Sequence, residues 1–144
     1  MKKGFTLIEL LVVIVIIGIL TTLLMANFIG IRQRARDGQR KSNLRQIQAA
    51  LEIYRADLGS YPSSLPACNN AFVGGSPPAT YIQKIPCDPL NTGKYVYTYV
   101  QAGSGTGYNL YACLENVNDN DKDLNNNTTY CDGSTNWSIT FTNP

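Results

Sequence analysis

From residue 10 to residue 31 the chain carries no charged side chain, and most positions are apolar. A helix needs roughly 20 such residues to cross a hydrocarbon core of about 30 Å, so this run is long enough for a membrane-spanning helix. One acid, Glu9, stands alone at its head. A carboxylate costs about 2.5–3.5 kcal/mol if it reaches the bilayer centre, which marks Glu9 as a functional group with a partner. From residue 44 the pattern becomes a stripe. Leu44, Ile47, Leu51, Tyr54 and Leu58 recur at steps of three and four, while Arg45, Gln46, Gln48, Glu52 and Arg55 fill the other faces. The two regimes predict one helix over about 5–57, apolar all round in its first half and amphipathic in its second. Gly59 supplies the stop and Pro62 prevents continuation. Gly18, Gly30 and Gly38 are points where the helix could bend.

Beyond residue 58 the pattern changes again. A stretch rich in Pro, Ser, Gly and Asn reads as loop up to residue 79. Residues 94–100 then alternate Tyr95, Tyr97 and Tyr99 with Val96, Thr98 and Val100, a strand signature. Residues 101–107 read as a glycine-serine turn, 108–114 as an antiparallel partner strand, and 137–141 as a third. The class is therefore α+β, a long amino-terminal helix packed on a small antiparallel sheet. The tyrosine row could serve as a carbohydrate platform or an electron-conducting stack. Packing on the amphipathic helix, with the hydroxyls at the rim, accounts for it more plainly.

Composition narrows the function. The 144 residues leave room for one domain beyond the apolar run. Twelve basic and ten acidic side chains give a net charge of +2, and removal of Lys2 and Lys3 would leave ten of each sign. No specific nucleic-acid partner is predicted from so balanced a chain. Histidine is absent, which removes the commonest general base and transition-metal ligand. No phosphate-cradling glycine loop or activated nucleophile is present either, so the chain reads as a structural protein and not an enzyme. Arg32, Arg34, Arg36, Arg40, Lys41 and Arg45 follow the apolar run and face only Asp37. They read as a solvated helix face or a contact with lipid headgroups. Counted by the positive-inside rule, they would put this side in the cytoplasm.

The apolar run is too long for a secretory signal, whose core has 7–15 residues, and Leu24-Met25-Ala26 lacks the small residue a cleavage site requires. Instead, Gly4-Phe5-Thr6-Leu7-Ile8-Glu9 resembles the leader-cleavage and methylation motif of type IV pilins and type II secretion pseudopilins. The resemblance implies that a prepilin peptidase cuts after Gly4 on the cytoplasmic side and methylates the new amino terminus, Phe5. It also implies that Glu9 meets the terminal amine of a neighbouring subunit during filament assembly. Cytoplasmic cleavage overrules the positive-inside count. Leu51-Glu52-Ile53-Tyr54, the turn Leu58-Gly59-Ser60-Tyr61-Pro62 and the element Pro86-Cys87-Asp88-Pro89 further resemble the major pseudopilin of type II secretion. Cys87 within that element, the missing Trp-Gly after Pro89, and Ala26 where many relatives carry proline depart from its pattern.

The resemblance implies a pilin-like fold with a leader over 1–4, a transmembrane and filament-core helix over 5–27, its amphipathic continuation over 28–58 and a globular head over 59–144. The implied function is that of a structural subunit of a type II secretion filament; the alternative is the pilin of an extracellular type IV fibre serving adhesion, twitching or DNA uptake. Its partners would be identical subunits in a homopolymeric helical filament, the prepilin peptidase, the inner-membrane assembly machinery and, before assembly, membrane lipid. The chain would sit in the inner membrane as a single-pass protein, head outside the cytoplasm, and then in a periplasmic or cell-surface filament.

Cys68, Cys87, Cys113 and Cys131 allow three pairings, and an exported protein would meet an oxidising compartment. Cys68–Cys87 with Cys113–Cys131 is favoured, because each bond then staples a loop without regular structure. Between the last two lies Asn118-Asp119-Asn120-Asp121-Lys122-Asp123. Carboxylates at alternating positions suit calcium, which takes 6–8 oxygen ligands, so Asp119, Asp121 and Asp123 are the candidate ligands. The EF-hand pattern fails, with Leu124 where glycine belongs and Tyr130 where glutamate belongs. The resemblance adds weight, since pseudopilins of this kind bind calcium in an acidic loop near the carboxy terminus. A merely solvated polar loop is the other reading.

Overall fold

The computed structural model describes residues 4–143, except for the side chains of Leu23, Ala26 and Asn27. Met1, Lys2 and Lys3 of the expected leader, and the Ala26 side chain, lie outside the described residues. The chain divides into two compact units, Met1–Gln33 and Arg34–Pro144. Helix α1 runs Leu7–Leu58, and Gly18, Gly30 and Gly38 are all helical within it.

In the first unit, the described apolar side chains are largely exposed: Ile14 is 60 % exposed and Ile31 61 %. Among the described residues no helix is long and apolar enough to cross a membrane; the uncharged run itself contains the three side chains that are not described.

The second unit is built on the striped half of α1. Leu44, Ile47 and Leu51 are buried as the pattern requires, joined by Ala50, while Tyr54 is half-buried and Leu58 exposed. The buried stripe also continues toward the amino terminus at the same steps, through Arg40 and Asp37, both fully enclosed. Gly59 ends the helix with φ +79°, and its N–H donates to the Arg55 carbonyl at 2.7 Å. A left-handed residue here favours glycine because it carries no Cβ.

Two sheets follow. Strands β1 (Phe72–Gly74) and β2 (Ala79–Ile82) form an antiparallel hairpin that begins inside the stretch expected to be loop up to residue 79 and ends just beyond it. Three- and four-residue strands are too short to show an alternation. The hairpin is seated by aromatics: Phe72 stacks on Tyr54 at 5.0 Å between centroids, and Tyr81 meets Tyr54 edge-on at 5.1 Å. Strands β3 (Thr98–Ala102), β4 (Gly107–Leu114) and β5 (Trp137–Thr142) form the antiparallel sheet, in the order β3-β4-β5. The strand expected from residue 94 begins only at Thr98. Ahead of it Thr92 and Tyr95 close a small bridged turn in which Asn91 and Gly93 take positive φ. The turn between β3 and β4 narrows to residues 103–106, where Gly103, Ser104 and Gly105 all adopt positive φ.

Along β4, Tyr108, Leu110, Ala112 and Leu114 alternate toward the core on α1, with Ile139 of β5 beside them. This pleat of period two leaves Asn109, Tyr111 and Cys113 for the opposite face. Cys113 is bonded to Cys131, which lies in the long segment between β4 and β5, and Tyr111 packs on Tyr130 at 4.6 Å. That segment thus covers the second face of the sheet. Cys68 is bonded to Cys87 across the hairpin segment. The architecture is the α+β, pilin-like one.

Candidate functional site

Gly4, Phe5 and Thr6 precede the first turn of α1 and are exposed. Glu9 is held locally. Its Oε2 accepts the Thr6 N–H at 2.8 Å and the Thr6 hydroxyl at 2.7 Å, and the Glu9 N–H donates back to the Thr6 Oγ1 at 3.3 Å. This reciprocal capping box satisfies two otherwise orphaned backbone donors. Thr6 therefore orients the Glu9 carboxylate, and the spacing Thr6-x-x-Glu9 is the sequence signal that carries the arrangement.

A second constellation lies where α1 meets the head. Arg40, with no exposed surface, donates from Nε and Nη2 to the two oxygens of Asp88 at 2.7 and 2.9 Å, a bidentate pair. Its Nη1 donates to Asp37 at 2.8 Å and to Glu115 at 2.7 Å. Arg36 adds a hydrogen bond to Glu115 at 2.6 Å, and the Tyr95 ring lies 4.7 Å from the Arg40 guanidinium. The acids hold backbone as well. Asp37 accepts the N–H groups of Glu115 and Asn116 at 2.9 and 2.8 Å, and Asp88 that of Leu90 at 2.9 Å. Among the described residues no buried side-chain polar atom lacks a partner.

Burial alone would push the Arg40 guanidinium down, but its bonds to Asp88, Glu115 and Asp37 outweigh that and hold it above the usual arginine value. Burial raises the Glu115 carboxyl, and the bonds from Arg36 and Arg40 more than reverse this, leaving it below the ordinary glutamate value. The basic run is thus not a uniformly solvated face. Arg36, Arg40 and Lys41 are committed to acids of the head, whose positions far along the chain no local charge count could reveal.

The expected calcium ligands are divided between two places. Lys41 Nζ donates to Asp119 at 2.5 Å and to Asp121 at 2.7 Å. Asp123 points instead at β5, accepting the hydroxyls of Ser138 and Thr140, each at 2.7 Å, and the Thr140 N–H at 3.0 Å. Among the described residues no group of three or more acidic, cysteine or histidine side chains is placed to hold a metal ion. The donor set does not fit calcium in this arrangement, because an ammonium holds the position between Asp119 and Asp121. Asp132, near the end of the same segment, caps its own turn by accepting the N–H groups of Ser134, Thr135 and Asn136 at 2.8, 2.8 and 3.1 Å. These bonds and one from the Thr135 hydroxyl hold the Asp132 carboxyl well below the usual aspartate range.

The tyrosine row points inward. The Tyr97 hydroxyl accepts from the Asn43 amide at 2.9 Å, and the Tyr99 hydroxyl donates to the Pro62 carbonyl at 2.6 Å. With Tyr95 against Arg40, the row packs on the helix and its polar tips are used internally.

The amino terminus and the head match known families separately. Residues 1–25 match the prokaryotic N-terminal methylation motif, and residues 27–129 match the family of type II secretion system protein G. The type II secretion system core protein G of Pseudomonas aeruginosa is 33 % identical over 137 residues, covering 87 % of this chain and 94 % of the relative. The protein of the same name in Escherichia coli is 31 % identical over 117 residues, covering 76 % and 79 %, and that of Vibrio cholerae 30 % over 114 residues, covering 71 % and 73 %. No solved structure matches. A methylation motif leading into a head of this architecture, matched along most of its length, shows that the chain belongs to the type II secretion system protein G family, the major pseudopilins.

Proposed function

We propose that this pseudopilin is cleaved between Gly4 and Phe5, methylated at Phe5, and held in the inner membrane by residues 5–27 until it enters a homopolymeric filament. The observation that carries this reading is the uncovered apolar surface of the first unit behind a single acid. Such a surface requires lipid or other copies of itself to cover it. Cleavage would leave a positive amine at Phe5 beside that surface, and the Glu9 carboxylate of a neighbouring copy is its natural partner. The capping box presents Glu9 at the first turn, where such a pairing would form. The relatives' role in type II secretion favours a secretion filament over an extracellular fibre. The assembly machinery and the prepilin peptidase are its remaining partners.

Intact mass and amino-terminal sequencing of the protein from its own cells test the processing. The expected product begins at methylated Phe5 and is light by the hydrogens of two disulfides. A chain still beginning at Met1, in cells with a working peptidase, would reduce the protein to a plain membrane anchor. For assembly, Glu9→Ala is expected to abolish filaments while cleavage proceeds; filaments at normal abundance would sink the role of Glu9. Deletion of the gene is expected to stop export of secreted enzymes.

A further inference from the structure

We infer that Lys41 is the resident cation of the acidic loop: its ammonium fastens Asp119 and Asp121 to α1, and the head holds this loop without a divalent metal ion. The inference concerns how the head is held together and stands apart from filament assembly.

The geometry has three parts. First, the Lys41 side chain is only 17 % exposed and that of Asp119 only 15 %, so their contact is shielded from water on most sides. Nζ uses two of its three donors on Asp119 and Asp121. Second, the loop is shaped around that contact, because the Asp119 oxygen that meets Lys41 also accepts the Asp121 N–H at 2.9 Å. The neighbouring cation is turned elsewhere: Lys122 donates to the Val117 carbonyl at 2.7 Å and lies over the Trp137 ring. Third, the carboxylate that would complete a D-x-D-x-D ligand set has been given to the sheet. Asp123 receives three donors from Ser138 and Thr140, and turning it outward would strand all of them. Calcium needs 6–8 oxygens at 2.3–2.6 Å. To draw on Asp119, Asp121 and Asp123 it would have to expel Lys41 and dismantle the Asp123 contacts at once.

The test is thermal unfolding of the full-length processed protein in detergent, in excess EDTA and in excess calcium, with calorimetric calcium titration alongside. The expected result is a midpoint that agrees within about 1 °C between the two conditions and no calcium binding heat. Lys41→Met should lower the midpoint by several degrees in EDTA, and Lys41→Arg should lose less. A calcium site filled at a hundredfold excess over its dissociation constant would instead raise the wild-type midpoint by about 10 °C for a head of this size. That rise, or a Lys41→Met midpoint equal to the wild type, overturns the inference. Should Lys41→Met not fold, the wild-type comparison still decides whether calcium is the clasp.

Discussion

A guanidinium with no exposed surface would be severely destabilising by itself, and Arg40 is tolerated because three carboxylates surround it. Removing it while Asp37 and Asp88 stay buried leaves uncompensated charge, so Arg40→Met is expected to cost about 3–5 kcal/mol in chemical denaturation. Surface positions such as Arg45, exposed on the same helix, should change stability by less than about 0.5 kcal/mol. Acid should act through the bonded carboxylates of the head. Glu115, Asp119 and Asp132 all have folded values below their ordinary ones. The unfolded chain therefore binds protons first as pH falls. The stability these groups contribute is full above the ordinary carboxyl range near pH 4 and is lost as pH drops through it and beyond. Unfolding midpoints measured from neutral pH downward should fall steeply below about pH 4.5. The amino-terminal methylation motif was legible: a motif read in six consecutive positions needs no tertiary information. The Arg40 cluster was not, because Asp88 and Glu115 lie 48 and 75 residues away from Arg40.

At the scale of elements, periodicity revealed what is regular and missed what is short or charged. The stripe through Leu44, Ile47 and Leu51 followed from sequence, and so did the β4 and β5 strands, to within a residue or two. Its continuation through Arg40 and Asp37 did not, since a hydrophobic pattern presumes that buried positions are apolar. The β1–β2 hairpin escaped because its strands are shorter than any alternation that could announce them. Leu51, fully buried at the centre of the stripe, is expected to cost about 2–5 kcal/mol when replaced by alanine. Two inward-facing tyrosines at the start of β3 give a second handle. Burial pushes Tyr97 and Tyr99 up to about 12. Their folded values exceed the unfolded value near 10, so the stability they contribute is intact below pH 10 and lost as pH climbs to about 12. Phenolate absorbance followed with circular dichroism in an alkaline titration should show these two ionising together with loss of structure. Ionisation at an ordinary tyrosine value in a still-folded chain would contradict their burial.

For the whole molecule, the two units have opposite relations to water. The first exposes its apolar side chains and needs company; the second encloses its core and staples its irregular segments. The two disulfides close loops of similar length, and on the chain-entropy model each contributes about 3 kcal/mol. Paired Cys→Ser replacement at 113 and 131 should therefore lower stability by about that amount, and this bond also ties down the segment that covers the second face of the sheet. That the head is α+β was legible from the succession of patterns. Of the ties on its long β4–β5 segment, the Cys113–Cys131 bond was legible, but the ion pairs were not, because they depend on a lysine more than seventy positions upstream.

The Arg40 cluster also has a consequence for the timetable of folding. Its partners come from residues 37, 88 and 115. A chain that emerges from its amino end presents Arg40 early, while Glu115 arrives after β4. Until then Arg40 Nη1 has only one of its two acceptors, and the core stripe next to it has no sheet to close upon. Completion of the cluster therefore waits for most of the head to be made, because its last acceptor lies beyond β4.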